Sequence, residues 1–206
     1  MEEWVRVKTS NKFHFFSVTV LLASVCLSTL FGFLSEQSRA DETLSAAFVL
    51  DQLSIGPVDP SAWTVGDIAT YKVSAGMLGS GSMTKEVVKD EGAAIWLKQI
   101  MKSSGHNETV EKLYRKADGE VLRVIRNGSE QDPASTRLSV VKQAETTITV
   151  PAGTFQVLYV SGKAGSGQVE LWLNPQVIGV DGTAKSIIKG GFYTITSELQ
   201  SSTHAR

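Results

Sequence analysis

From Ile68 onward the chain alternates apolar and polar residues at a period of two, and Gly, Asn, Asp or Pro interrupts the alternation roughly every 8–15 residues. Ala69, Tyr71, Val73, Ala75 and Met77, for example, alternate with Ile68, Thr70, Lys72 and Ser74. A period of two belongs to strands, whose successive side chains point to opposite faces, whereas a helix would repeat at 3.6. Short strands joined by short turns satisfy their backbone by pairing with sequence neighbours, so the pattern predicts an antiparallel meander.

The punctuation is specific enough to predict turns. "GMLGSGSM" and "GHNET" separate the first three strands, and "NGSEQDP" contributes Asn127 and Gly128. "ADGE" is expected to form a hairpin through a type I′ turn on Asp118 and Gly119, since Asp-Gly accepts the positive φ such a turn demands. In "TVPAGTF", Pro151 pre-sets φ near −65°, Ala152 suits the second corner, and Gly153 can take the left-handed conformation of a G1 bulge. That predicts a three-residue loop, with Phe155, Val157 and Tyr159 sharing one face of the outgoing strand. Gly162–Gly167 is expected to turn again. "QVELWLN" then puts Val169, Leu171 and Leu173 on one side and Trp172 on the other, and a last hairpin turns at Gly190 and Gly191. Nine or ten strands are expected.

One stretch reads as a helix. In "DETLSAAFVLDQLS", residues 41–54, Asp41 or Thr43 can cap, Leu44, Ala47, Phe48 and Leu53 share a face, and Gly56, Pro57 and Pro60 stop continuation. The predicted fold is therefore mainly β: a single curved antiparallel sheet, as a half-barrel or β-roll meander, with one N-terminal helix. A half-buried sheet needs cover on its apolar face, and this helix is the expected cover.

The first forty residues differ from the rest. Arg6, Lys8 and Lys12 precede a nearly uncharged run, Phe13–Leu34, and "SRA" places Ser38 and Ala40 at the small-residue positions before Asp41. This is the order of a secretory signal, with cleavage expected after Ala40 and the chain expected in the periplasm or secreted. The run of about 22 residues also reaches the length of an uncleaved anchor, which would be the route to membrane contact. Lipoprotein acylation at Cys26 is disfavoured by Val25. The expected organisation is a signal over 1–40, helix and linker over 41–62, an antiparallel β domain over 63–200 and a polar tail over 201–206.

Cleavage removes Arg6, Lys8, Lys12 and Arg39 with Glu2, Glu3 and Glu36, taking the formal charge from −1 to −2. Dispersed basic residues without an aromatic-interleaved stripe give no footprint for nucleic acid. The sole cysteine, Cys26, leaves with the signal, so the mature chain has no disulfide, thiolate metal site or cysteine nucleophile.

Chemistry-bearing patterns are scarce. His106 lies in a predicted turn and His204 in the polar tail, and neither HExxH nor GxSxG occurs. "GSGS" at 79–82 and "GKAGSGQ" at 162–168 lack the lysine position and following helix of a phosphate loop. Glu86, Glu91, Glu170 and Glu198 are scattered over strands and give no acid–base pair. The sequons at Asn107 and Asn127 matter only in a host that glycosylates, and otherwise read as polar turn residues. No catalytic residue, metal site or cofactor is expected, and the chain reads as no enzyme.

The aromatics remain. Phe48, Tyr71, Trp96, Phe155 and Trp172 are the candidate ligand-binding residues, the first four lining an expected apolar pocket near the helix without a cluster of ionisable groups at its mouth. Trp172, opposite the apolar side of its strand, is the most suggestive of them.

Four motifs carry a resemblance. W-T-V-G-D-x-A-x-Y at Trp63–Tyr71, T-V-P-A-G-T-F at Thr149–Phe155, W-L-N-P at Trp172–Pro175 and G-x-x-K-S at Gly182–Ser186 resemble exported bacterial β-rich proteins of unknown function. In shape these are similar to lipoprotein-localisation carriers, whose curved sheet wraps helices around an apolar cavity. The resemblance implies a compartment and an architecture and supplies no catalytic residues. The expected function is a non-catalytic envelope protein that binds an apolar or lipid-like ligand, or an envelope component, in the concave face of its sheet. The alternative is a structural or assembly partner in the envelope without a small ligand; an unrecognised hydrolase comes third.

Overall fold

The computed structural model describes residues 53–54, 59–76, 79–103, 106–133, 136–191 and 193–205. The expected signal, Phe48 and most of the expected helix lie outside the described residues. Leu53 and Ser54, placed by the sequence at the end of that helix, form instead a two-residue strand, β1. Among the described residues there is no α-helix. A single 3-10 turn, Pro60–Ala62, is capped by Asp59, which accepts the Ser61 N–H at 3.0 Å.

The remaining strands are β2 (Ile68–Ser74), β3 (Ser80–Asp90), β4 (Ala94–Ser103), β5 (His106–Arg115), β6 (Val121–Arg126), β7 (Ser129–Gln131), β8 (Thr136–Arg137), β9 (Ser139–Val150), β10 (Gly153–Ala164), β11 (Gly167–Leu173), β12 (Thr183–Lys189) and β13 (Thr194–Thr203). Eleven of them form one open antiparallel sheet in the order β7-β6-β5-β4-β3-β2-β13-β12-β11-β10-β9, and β1 pairs with β8 in parallel. The chain thus lays down two meanders, β2–β7 and β9–β13, and joins them where β2 pairs with β13. Since β13 runs to Thr203, the polar tail expected from residue 201 begins as strand.

Alternation places the core. Tyr71 lies opposite Leu199 on one side and Met83 on the other, and Met83 lies opposite Met101. Tyr71, Met83 and Leu199 belong to the main cluster with Val73, Val87, Ile95, Leu97 and Ile195. Val160, Ala164, Val169, Leu171 and Ile188 form a second cluster. Strand β10 changes allegiance midway: Val157 packs in the main cluster, Val160 and Ala164 in the second. Val157 and Val160, an odd number of residues apart, point to opposite faces of the strand. β11 ends at Leu173 opposite Leu158, and the first residues of β10 run past it to the main cluster. The tip is tied there by the Ala152 N–H, which donates to the Leu199 carbonyl at 3.1 Å.

Three turns differ from expectation. Val150 pairs directly with Gly153, so the β9–β10 loop is the two residues Pro151 and Ala152, and Gly153 at φ 139° is more extended than a G1 bulge requires. The Asp118–Gly119 turn is longer than a type I′ hairpin: Gly119, at φ 72°, donates to the Arg115 carbonyl at 2.8 Å within a loop from β5 to β6. The type I′ turn sits at Asn127–Gly128, whose φ angles of 48° and 81° are both positive. Gly162 lies inside β10 and the turn comes after Ala164; beside Gly162, Val141 is an extra residue in β9 that bulges the edge.

The W-T-V-G-D motif also has a structural cause. Trp63 packs edge-on against Tyr114 with ring centroids 5.2 Å apart. Asp67 is buried and accepts backbone N–H groups from Thr64 at 2.9 Å and Ala205 at 2.8 Å, tying the start of β2 to the end of β13.

Candidate functional site

The β11–β12 connection carries an acidic residue to the core face. Asn174 organises it: its Oδ1 accepts the N–H groups of Gln176 and Val177, each at 3.1 Å, and its Nδ2 donates to the Gln156 carbonyl at 2.7 Å. Gly182 closes the loop at φ 72°, where a Cβ would come within 2.6 Å of Pro175. The W-L-N-P and G-x-x-K-S motifs therefore build one loop, and that loop positions Asp181.

Asp181 accepts hydrogen bonds from Thr183 N–H at 3.2 Å and Tyr71 OH at 3.3 Å, and pairs with the Lys85 ammonium. Lys85 also lies 5.4 Å from the Tyr71 ring centroid. Both charged side chains are nearly buried, at 14% and 15% exposure, so the pair is worth keeping intact and costly to break from one side. Burial alone would raise the Asp181 carboxyl, but the Lys85 charge, with hydrogen bonds from Lys85 and Thr183, holds it below the ordinary aspartate value. Burial, then the neighbouring Asp181 charge, pushes the Tyr71 phenol well above its ordinary value.

Beside this pair is a cavity of about 20 Å³ lined by Tyr71, Lys85, Gln99, Thr183, Ser186 and Ser197 among others. Met83 and Ile188 complete its lining; the expected apolar pocket near the helix lies partly outside the described residues. Ammonium and carboxylate neutralise one another here, and among the described residues no group of three His, Cys, Asp or Glu side chains could hold a metal.

The predicted site residues separate. Tyr71 lines this cavity from within the main cluster, and Phe155 packs partly buried against that cluster. Trp96 belongs to a third cluster with Ala94 and Leu113; its indole N–H donates to Glu91 at 3.0 Å and the Arg123 guanidinium lies 5.8 Å from its ring. Trp172 sits, as its strand position requires, on the face opposite Leu171, with Tyr159 at 5.1 Å and the Lys185 ammonium at 5.9 Å. Lys185 in turn pairs with Glu198 at 2.7 Å, so that face carries a row of interacting side chains across β10, β11, β12 and β13. Phe48 lies outside the described residues.

Sequence reasoning passed over Lys85 and Asp181. A signal existed for the first: Met83, Lys85 and Val87 share a face by alternation, and a lysine between two core residues calls for an anion. The anion comes from a loop almost a hundred residues away, which no local pattern reveals.

The two sheet edges differ strongly. β7 is three residues long, and its Glu130 is held by Arg123 through two bonds of 2.9 and 3.1 Å. β9 is twelve residues long, exposed from Ser139 to Thr147 on both faces, with Val141 73% exposed. Among the described residues no strand pairs with its outer side. Neither a family model nor a curated protein matches this chain.

Proposed function

We infer that this chain is a non-catalytic, exported component of a bacterial cell envelope that works by protein contact, receiving an extended segment of another envelope polypeptide along β9. The sheet is read as curved, a half-barrel, with β9 as its open lip. The observation that carries the proposal is the length and exposure of that edge. A long edge whose outer groups pair with no strand among the described residues is a template for strand addition, and from Gln143 to Val150, beyond the bulge at Val141, its register is regular.

The contact groups that this reading requires follow from the register of the hairpin. Residues flanking a two-residue loop form a hydrogen-bonded pair, so Val150 bonds to Gly153 and, by alternation, Ile148, Thr146 and Ala144 bond to β10. Thr149, Thr147, Glu145 and Gln143 then turn their N–H and C=O groups outward. The Gln156 carbonyl agrees with this phase, since it faces away from β9 and accepts from Asn174.

The test places a photocrosslinking residue at Glu145 in the full chain expressed with its own leader. A polypeptide adduct is expected on exported material whose N-terminus is Asp41. Thr147→Pro, which removes an outward N–H, should abolish the adduct without changing urea stability, whereas Thr146→Pro should unfold the hairpin. Absence of an adduct, or one indifferent to Thr147→Pro, overturns the proposal. The second reading, a lipid-like ligand, draws on Phe155 and Trp172, partly exposed at the margin of the main cluster. Tryptophan emission moving to the blue with added fatty acid, without an adduct at β9, would favour it.

A further inference from the structure

Ser186 and Ser197 are direct cross-strand neighbours in the middle of the sheet, on the face where the next residues in the row are Leu171 and Val73. Two short polar side chains between large apolar ones leave space, and the cavity described above lies there. Ser197 is 1% exposed, and among the described residues its Oγ has no hydrogen-bond partner. Buried hydroxyls are almost always paired, because desolvation without a replacement bond has no return.

We propose that this cavity is a hydration site, holding one water molecule that belongs to the folded state and is bound by Ser197, Ser186 and Gln99 beside the Lys85–Asp181 pair. Size sets the occupant. A single water needs roughly 10–15 Å³ of such space and two to four polar partners. The cavity offers about 20 Å³, and Ser197, Ser186 and Gln99 in its lining can supply them. A carboxylate or phosphate group would need several times that space, so the site is not a head-group subsite for a larger ligand. The water completes Ser197 and joins β4, β12 and β13 through Gln99, Ser186 and Ser197, next to the Asp181–Lys85–Tyr71 group. This inference is independent of the reading of β9.

The sign of one substitution tests it. If the Ser197 hydroxyl binds water, Ser197→Ala lowers the urea midpoint, because the water loses a partner. If the hydroxyl is simply unpaired, the same change removes a penalty and raises the midpoint. Ser80→Ala, at an exposed position on β3, provides the baseline shift. A midpoint equal to or above that baseline overturns the proposal. Should Ser197→Ala fail to fold, a high-resolution crystal structure of the unaltered chain decides: a single spherical peak within hydrogen-bond reach of Ser197 Oγ supports the water, and an empty cavity or elongated density overturns it.

Discussion

At Gly153 the backbone stands at φ 139°, a region that β-branched residues avoid. Gly153→Val should therefore cost about 1–2 kcal/mol in urea unfolding, although the neighbouring Phe155 ring, 3.7 Å from a built Cβ, leaves room for the side chain. The strain is in the backbone, so Gly153→Ala should cost nearly as much. Asp181 sets a different kind of limit. Its carboxyl is depressed in the folded chain, so the stability it contributes is complete above its unfolded value, about 3.9, and is lost as the pH falls through the lower folded value. Asp181→Asn should be less stable at neutral pH, because Lys85 loses its counter-charge. It should also show a shallower decline on acidification below about pH 4, which urea midpoints taken across that range will show. At this scale the sequence was half legible: the residues on each strand face could be read, and the partner brought to Lys85 from the far loop could not.

Turns and strands tell a similar story at the scale of elements. Asn-Gly and Asp-Gly carry the same local preference for positive φ, yet only Asn127–Gly128 forms the type I′ turn. At the other site, Arg115 bonds both Asp118 and Glu120, at 2.9 and 2.5 Å, and the Asp118 side chain accepts the Glu120 N–H at 3.0 Å. These contacts hold a wider loop that dipeptide propensity alone does not contain. The hairpin at Pro151 was legible as a hairpin, while its loop length depended on the register of strands it joins. That register gives β9 a measurable signature. Amides of Gln143, Glu145, Thr147 and Thr149 should exchange with solvent quickly, and those of Ala144, Thr146 and Ile148 slowly, in residue-resolved hydrogen exchange. Uniform fast exchange would mean that the β9–β10 ladder itself opens.

For the whole molecule, alternation and turn spacing were enough to predict a mainly β, antiparallel meander. They could not reveal that the meander is split into two halves joined by β2 and β13, because pairing between strands more than a hundred residues apart leaves no mark on either. That join has a consequence in time. Tyr71 and Val73 gain their neighbours Leu199 and Ser197 only when β13 arrives. A chain emerging from a ribosome makes β2–β7 early, but that half must wait, with one side of β2 open, until nearly all of the polypeptide has been synthesised. Closing so long a loop is slow. Were the chain exported as proposed, this late join would leave the sheet incomplete while the polypeptide is threaded through a narrow pore.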